Sequence, residues 1–205
     1  MNKFLKMFIG LFLIVITVVA VFLIKTKPEF KTAVLRNLKL TDIKAERIIT
    51  PEQARNFLND LDMPTRDYED TGYQGNYGKY EADSDRLILE TRDPNRYLNN
   101  LTYSVFGDKD AAKAVSLDLN VNDVSYSSNA VGELIKYSDG LMKKATGENL
   151  TPEIKKAMET KTVGEWVVNG YKIKLTKAEF QPDAVKDDYQ TSDVGAFELT
   201  FLIEI

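Results

Sequence analysis

Residues 163–178 read VGEWVVNGYKIKLTKA, two runs of strand-forming residues that flank the dipeptide Asn169-Gly170. Asparagine and glycine both tolerate positive φ, which a two-residue type I′ turn requires at its two central positions. The stretch therefore predicts a β-hairpin over Val163–Val168 and Tyr171–Ala178. It is the most specific local signal in the chain after the N-terminal apolar run.

Two other stretches alternate strictly between apolar and polar residues. They are VSLDLNV at 115–121 and FELTFLIEI at 197–205. Such alternation indicates strands with one buried and one wet face, as in an antiparallel sheet. Shorter strands are predicted at 87–89 and 101–106, and the last strand is expected to lie inside the sheet because its apolar face must be covered.

Three helices complete the predicted domain. The longest has apolar residues at helical spacing from Val131 to Ala145, and Gly147 lies just past its end. Shorter helices are predicted from Thr50-Pro51, where Gln53 completes a capping box, and from Thr151-Pro152. We therefore expect an α+β fold, an antiparallel sheet of five to six strands with helices packed on one face, preceded by a single N-terminal transmembrane helix.

The N-terminal run MFIGLFLIVITVVAVFLI at 7–24 carries no charge and is flanked by lysines. At the helical rise it spans roughly 27 Å, about the thickness of a bilayer core. A cleaved signal peptide ending at 18–20 is the alternative, but the apolar run continues past that point. The residues expected to contact lipid are Met7, Phe8, Leu11, Phe12, Ile16, Val19, Phe22 and Ile24.

The anchor divides the chain into a tail at 1–6, the transmembrane segment at 7–24, a juxtamembrane linker or helix at 25–49 and a globular domain at 50–205. Basic residues after the run, beginning with Lys25 and Lys27, would favour a cytoplasmic domain. A short tail followed at once by an apolar core is instead typical of a signal-anchor, which exports the domain behind it. We expect a single-pass protein of the bacterial inner (cytoplasmic) membrane with an extracytoplasmic domain.

Charge and absent residue types narrow the function. All 31 acidic residues and 23 of the 27 basic ones come after residue 27, so residues 28–205 carry 23 − 31 = −8. This charge disfavours nucleic acid and favours a cationic protein surface or metal ions, with ordinary solubility as the alternative explanation. The chain has no histidine and no cysteine, which excludes Ser–His and Cys–His catalysis, disulfides and imidazole or thiolate zinc sites. We expect no cofactor and no metal.

Residues 65–85, TRDYEDTGYQGNYGKYEADSD, interleave glycines, tyrosines and acids without apolar periodicity. Tyrosine offers large contact area with a polar tip and is enriched on recognition surfaces. The segment is interpreted as a glycine-rich loop, either a plain connection or a partner-binding loop. The candidate partner-binding residues are Tyr68, Tyr73, Tyr77 and Tyr80.

The sequence supports three functional hypotheses. The first is a non-enzymatic, membrane-anchored envelope protein whose extracytoplasmic domain binds a protein partner or supports an envelope complex. The second is an immunity or inhibitor protein that neutralises a secreted toxin or lytic enzyme. The third is a carbohydrate-active enzyme, which needs two carboxylates facing each other across a cleft; its candidates by type are Glu90, Glu133, Glu165, Glu179 and Glu198.

Overall fold

The computed structural model describes residues 48–90, 97–179 and 195–205. Four predicted segments lie outside these ranges: the tail, the transmembrane segment at 7–24, the linker up to residue 47 and the loop at 181–194. Within the described ranges, no helix is both long enough and apolar enough to cross a bilayer.

The described chain contains eight strands, three α-helices and two short 3-10 turns. In chain order they are α1 (Pro51–Arg55), a 3-10 turn (Asn59–Leu61), β1 (Glu69–Gly75), β2 (Gly78–Asp83), β3 (Leu87–Ile88), β4 (Asn100–Asp108), β5 (Ala111–Val121), a second 3-10 turn (Val124–Tyr126), α2 (Ser127–Thr146), α3 (Pro152–Thr160), β6 (Gly164–Val168), β7 (Tyr171–Glu179) and β8 (Phe197–Glu204).

The strands form one antiparallel sheet in the order β1-β2-β4-β5-β8-β7-β6, and β3 pairs with β4. The α+β class and the antiparallel sheet are confirmed, but the predicted strand number of five to six is wrong. The two missed strands are β1 and β2, which form a hairpin where a loop was expected. Nearly every residue of β1 is exposed, so its sequence carries no apolar alternation that would reveal a strand.

The last strand lies inside the sheet, as predicted. β8 pairs with β5 on one side, from Ala114↔Glu204 to Val121↔Phe197, and with β7 on the other. The predicted turn between β6 and β7 is also confirmed: Asn169 has φ 50° and Gly170 has φ 81°, the left-handed geometry of a type I′ turn.

The helices begin near their predicted residues, but the first is shorter than its apolar spacing through Phe57, Leu58 and Leu61 indicated. Thr50 and Gln53 form the predicted capping box, although α1 ends at Arg55 and a 3-10 turn comes after it. Thr151 caps α3, and Gly147 ends α2 in the left-handed conformation.

One face of the sheet forms a hydrophobic core with the helices. The largest fully buried side chains come from both, and they are Leu58, Met63, Leu101, Tyr103, Leu117, Leu119, Leu134, Leu141, Met142, Ile154, Met158 and Phe201. The opposite face of the sheet is mainly polar, and we call it the polar face. The residues that alternate with the buried ones along each strand lie on this face. The predicted alternation is therefore confirmed, and so is its cause, one buried and one wet face of the sheet.

Candidate functional site

The tyrosine-rich segment is a β-hairpin at one edge of the sheet. Its strands pair Glu69 with Glu81 and Asp70 with Tyr80, and the register then shifts before Gly75↔Gly78. Gly72 lies within the irregular stretch at φ 71°, a conformation that favours glycine. The hairpin is thus an ordered, bulged extension of the sheet rather than a loop.

Tyr68 and Tyr80 hold the hairpin against the neighbouring turn. Their rings stack with centroids 5.5 Å apart and an interplanar angle of 25°. The Tyr68 hydroxyl donates to the Asp108 carbonyl oxygen over 3.1 Å. Burial, reinforced by the nearby Asp108 charge, raises the pKa of Tyr68 to about 12. These two candidate residues lie together and have a structural role.

Tyr77 holds the tip of the hairpin to the polar face. Its hydroxyl donates to Glu204 Oε1 over 3.3 Å, and its ring lies 6.4 Å from that of Phe106. Lys174 Nζ lies 2.6 Å from the same Glu204 oxygen, and this contact lowers the pKa of Glu204. Burial is the main cause that raises the pKa of Tyr77.

Tyr73 differs from the other three candidate tyrosines because its side chain faces solvent. The residue is 75% exposed, the highest value among the large exposed hydrophobic residues of the described chain. Its backbone is held by Thr71, whose hydroxyl accepts from the Tyr73 amide over 3.3 Å and donates to the Lys79 carbonyl over 2.8 Å. An exposed aromatic ring therefore stands on an ordered backbone.

A second feature, which the sequence did not reveal, is a group of carboxyl side chains on the polar face. At its centre Asp118 of β5 accepts hydrogen bonds from Ser116 (2.7 Å) and Thr200 (2.6 Å). Burial raises the pKa of Asp118 despite these two hydrogen bonds. The alternation of β5 already explained a polar residue at this position, so nothing in the sequence marked it.

Three further acids lie close enough to Asp118 for their negative charges to interact with its carboxylate. They are Glu81, Asp83 and Glu198. Burial is the main cause that raises the pKa of Glu81 and of Glu198, and repulsion from neighbouring acids adds to it. Asp83 Oδ1 is buried without a hydrogen-bond partner. Glu81, Asp118 and Glu198, whose pKa values are raised, hold protons more tightly than ordinary carboxyls do. Within the described chain, however, no set of three acidic side chains is arranged to hold a metal ion.

The five glutamates proposed for an enzyme are mostly dispersed. Glu179 pairs with Lys177 at 2.7 Å, Glu165 of β6 lies opposite Lys174 of β7, and Glu198 belongs to the polar-face group. Glu90 and Glu133, by contrast, line the same groove. The structure thus brings one candidate pair to a common surface.

No family model, no curated protein and no solved structure matches the chain. Any functional conclusion therefore depends on the tyrosine hairpin, the polar face and the groove.

Proposed function

We propose that residues 48–205 form a non-enzymatic binding domain for a basic protein partner, held at the cell envelope by the apolar run at 7–24. The single observation that carries this proposal is Tyr73, which is 75% exposed on a hairpin that three other tyrosines brace against the sheet. A side chain on a pre-ordered backbone loses little entropy on binding, and tyrosine is enriched among the residues that dominate interface energies.

The charge around Tyr73 supports a basic partner. Glu69 and Asp70 of β1 are exposed, and the sequence from 67 to 85 contains six acids and one lysine, Lys79. A negative field of this kind accelerates association with a cationic surface and disfavours acidic partners. An immunity or inhibitor protein is the narrower form of the same proposal, with a toxin or lytic enzyme as the basic partner.

Site-specific crosslinking in cells tests the proposal. A photoreactive phenylalanine analogue placed at position 73 of the full-length chain should capture a reproducible partner, identified by mass spectrometry. The same analogue at exposed Lys143 on α2 is the matched control and should not capture it. The identity of the partner separates an envelope scaffold from an immunity protein.

The captured partner, once purified, allows a quantitative test. Tyr73→Ala should weaken its binding at least about tenfold, and affinity should fall as ionic strength rises because the charges are screened. Tyr97→Ala, which also removes an exposed tyrosine, should leave affinity unchanged. Equal capture at positions 73 and 143 would exclude this surface as the binding site. So would an affinity that changes neither with Tyr73→Ala nor with ionic strength.

A carboxylate-dependent, carbohydrate-active enzyme is the second candidate. The observation that favours it is the shared groove of Glu90 and Glu133, although Glu133 Oε2 is also engaged by Lys136 Nζ at 2.9 Å. Hydrolysis of a panel of envelope glycans that is lost in both Glu90→Gln and Glu133→Gln, but retained in Glu148→Gln, would establish the enzyme.

A further inference from the structure

A groove lies between β3 with the residues just after it and the first half of α2. It encloses about 460 Å³, within the size range of pockets that hold ligands in proteins. Its lining is mostly apolar or small and consists of Leu87, Ile88, Leu89, Glu90, Asn129, Ala130, Gly132, Glu133 and Tyr137.

Small residues on α2 leave this groove open. A Cβ atom added at Gly132 would meet nothing within 4 Å, and Ala130 contributes only a methyl group. Glycine in a helix interior costs roughly 0.5–1 kcal/mol relative to alanine, so its presence here is unfavourable for the helix alone. Gly132 therefore maintains space beside the strand.

The other wall of the groove offers backbone hydrogen-bonding groups. Among the described strands β3 pairs with β4 alone, through Leu87↔Leu101 and Ile88↔Asn100. The Leu89 amide donates to the Asn99 carbonyl over 2.8 Å. In an antiparallel pair neighbouring residues alternate in direction, so the amide and carbonyl of Ile88 point away from β4. They are placed to pair with an added strand.

The charge at the groove specifies its occupant. Glu90 and Glu133 are the charged residues of the lining, and Glu133 Oε2 also pairs at 2.9 Å with Lys136 Nζ, a residue outside the described lining. Ile88 is 53% exposed beside them. The groove thus combines a strand edge, apolar side chains and negative charge.

We propose that this groove binds an extended segment of a protein partner that carries alternating apolar and basic side chains and adds as a strand beside β3. Strand addition to a sheet edge is an established mode of peptide recognition, in which the backbone supplies affinity and side-chain pockets supply specificity. The groove does not include Tyr73, so this proposal and the one for the hairpin are tested by different variants.

The test uses the full-length chain in detergent and a short, fluorescently labelled peptide in which valine and lysine alternate. Fluorescence anisotropy should show binding, and a valine–glutamate peptide should not bind. Gly132→Leu should weaken binding at least about tenfold by filling the groove, while the fold is retained because leucine favours a helix more than glycine. Lys143→Leu adds a leucine elsewhere on α2 and should bind as the wild type does.

Glu90→Gln and Glu133→Gln should each weaken binding of the valine–lysine peptide, and Glu148→Gln should not. Equal binding by the wild type and Gly132→Leu, equal binding of both peptides, or no binding at millimolar concentration would overturn the proposal. A wild-type dimer that Gly132→Leu dissociates in light scattering would also overturn it, because the occupant would then be a second copy of the chain.

Discussion

The Tyr103 hydroxyl lies inside the core and donates to the Ala54 carbonyl oxygen over 2.7 Å. This hydrogen bond joins β4 to α1, and the residue is fully buried. Within the predicted strand at 101–106, alternation places Tyr103 on the same face as Leu101 and Val105. The sequence did not predict the partner of the hydroxyl, because a contact across 49 residues depends on the tertiary fold.

Tyr103→Phe tests this contact. We expect the free energy of unfolding to fall by about 1 kcal/mol, since the Ala54 carbonyl still accepts from the Phe57 amide at 3.0 Å. Urea denaturation measures the loss. Tyr97→Phe, at an exposed tyrosine, should change nothing, and equal stability of both variants would contradict the role of the hydrogen bond.

The raised pKa of Asp118 predicts a pH effect. Its folded-state pKa lies above its ordinary value of 3.8 mainly because of burial, so the folded state binds the proton more tightly than the unfolded state. This contribution to stability is fully present below pH 3.8 and is lost as the pH rises above it. Asp118→Asn removes this loss, so the variant should gain stability relative to wild type between about pH 4 and about pH 7.

Urea denaturation of both proteins across this pH range measures the effect. Asp110→Asn, at an exposed turn residue, is the control and should track the wild-type profile. Parallel profiles for Asp118→Asn and wild type would show that burial does not perturb Asp118. The sequence did not reveal the group of acids on the polar face. Its four members, Glu81, Asp83, Asp118 and Glu198, come from three strands, β2, β5 and β8, that are distant from one another in the chain.

Among the elements, the turn at Asn169–Gly170 requires a glycine, whereas the helix α2 is weakened by one. Gly170 takes φ 81°, where a side chain is strained, and the Asn169 side chain donates to the Thr146 carbonyl over 2.7 Å. Gly132 lies within α2, and a Cβ added there would meet nothing within 4 Å. The same substitution should therefore act with opposite sign at the two positions.

Gly170→Ala should lower the free energy of unfolding by about 1 kcal/mol, and Gly132→Ala should raise it by up to about 1 kcal/mol. Chemical denaturation of the two variants beside wild type measures both values. Destabilisation by Gly132→Ala would mean that the space next to α2 is needed for folding, which would also remove it as a site for a ligand.

Elements with a long apolar alternation or stripe, or with a specific turn signal, could be predicted from the sequence, and the hairpin of β1 and β2 has neither. β5 and β8 alternate because one face packs on the helices, and α2 shows its apolar stripe for the same reason. β1 is exposed on both faces, so its residues are free of that constraint. The groove beside β3 was also missed, since an absent side chain at Gly132 carries no signal until the neighbouring strand is placed.

At the scale of the whole molecule, the apolar run at 7–24 predicts where the protein resides. The full-length chain should sediment with membranes and resist extraction by alkaline carbonate. Ile14→Asp combined with Val18→Asp should release it, because each charge at the bilayer centre costs about 3 kcal/mol. Lys143→Leu is the control, and circular dichroism should show the domain folded in all three proteins. Carbonate extraction of the wild-type protein would contradict the anchor.

The position of β8 has a consequence for synthesis on the ribosome. This strand is translated last among the described elements, yet it joins β5 to β7 in the middle of the sheet. Until residues 197–204 have left the exit tunnel, the β1–β5 strands and the β6–β7 hairpin are two half-sheets, each with an open edge. A nascent chain stalled before Phe197 is therefore expected to recruit chaperones, and the sheet closes only after β8 has left the tunnel.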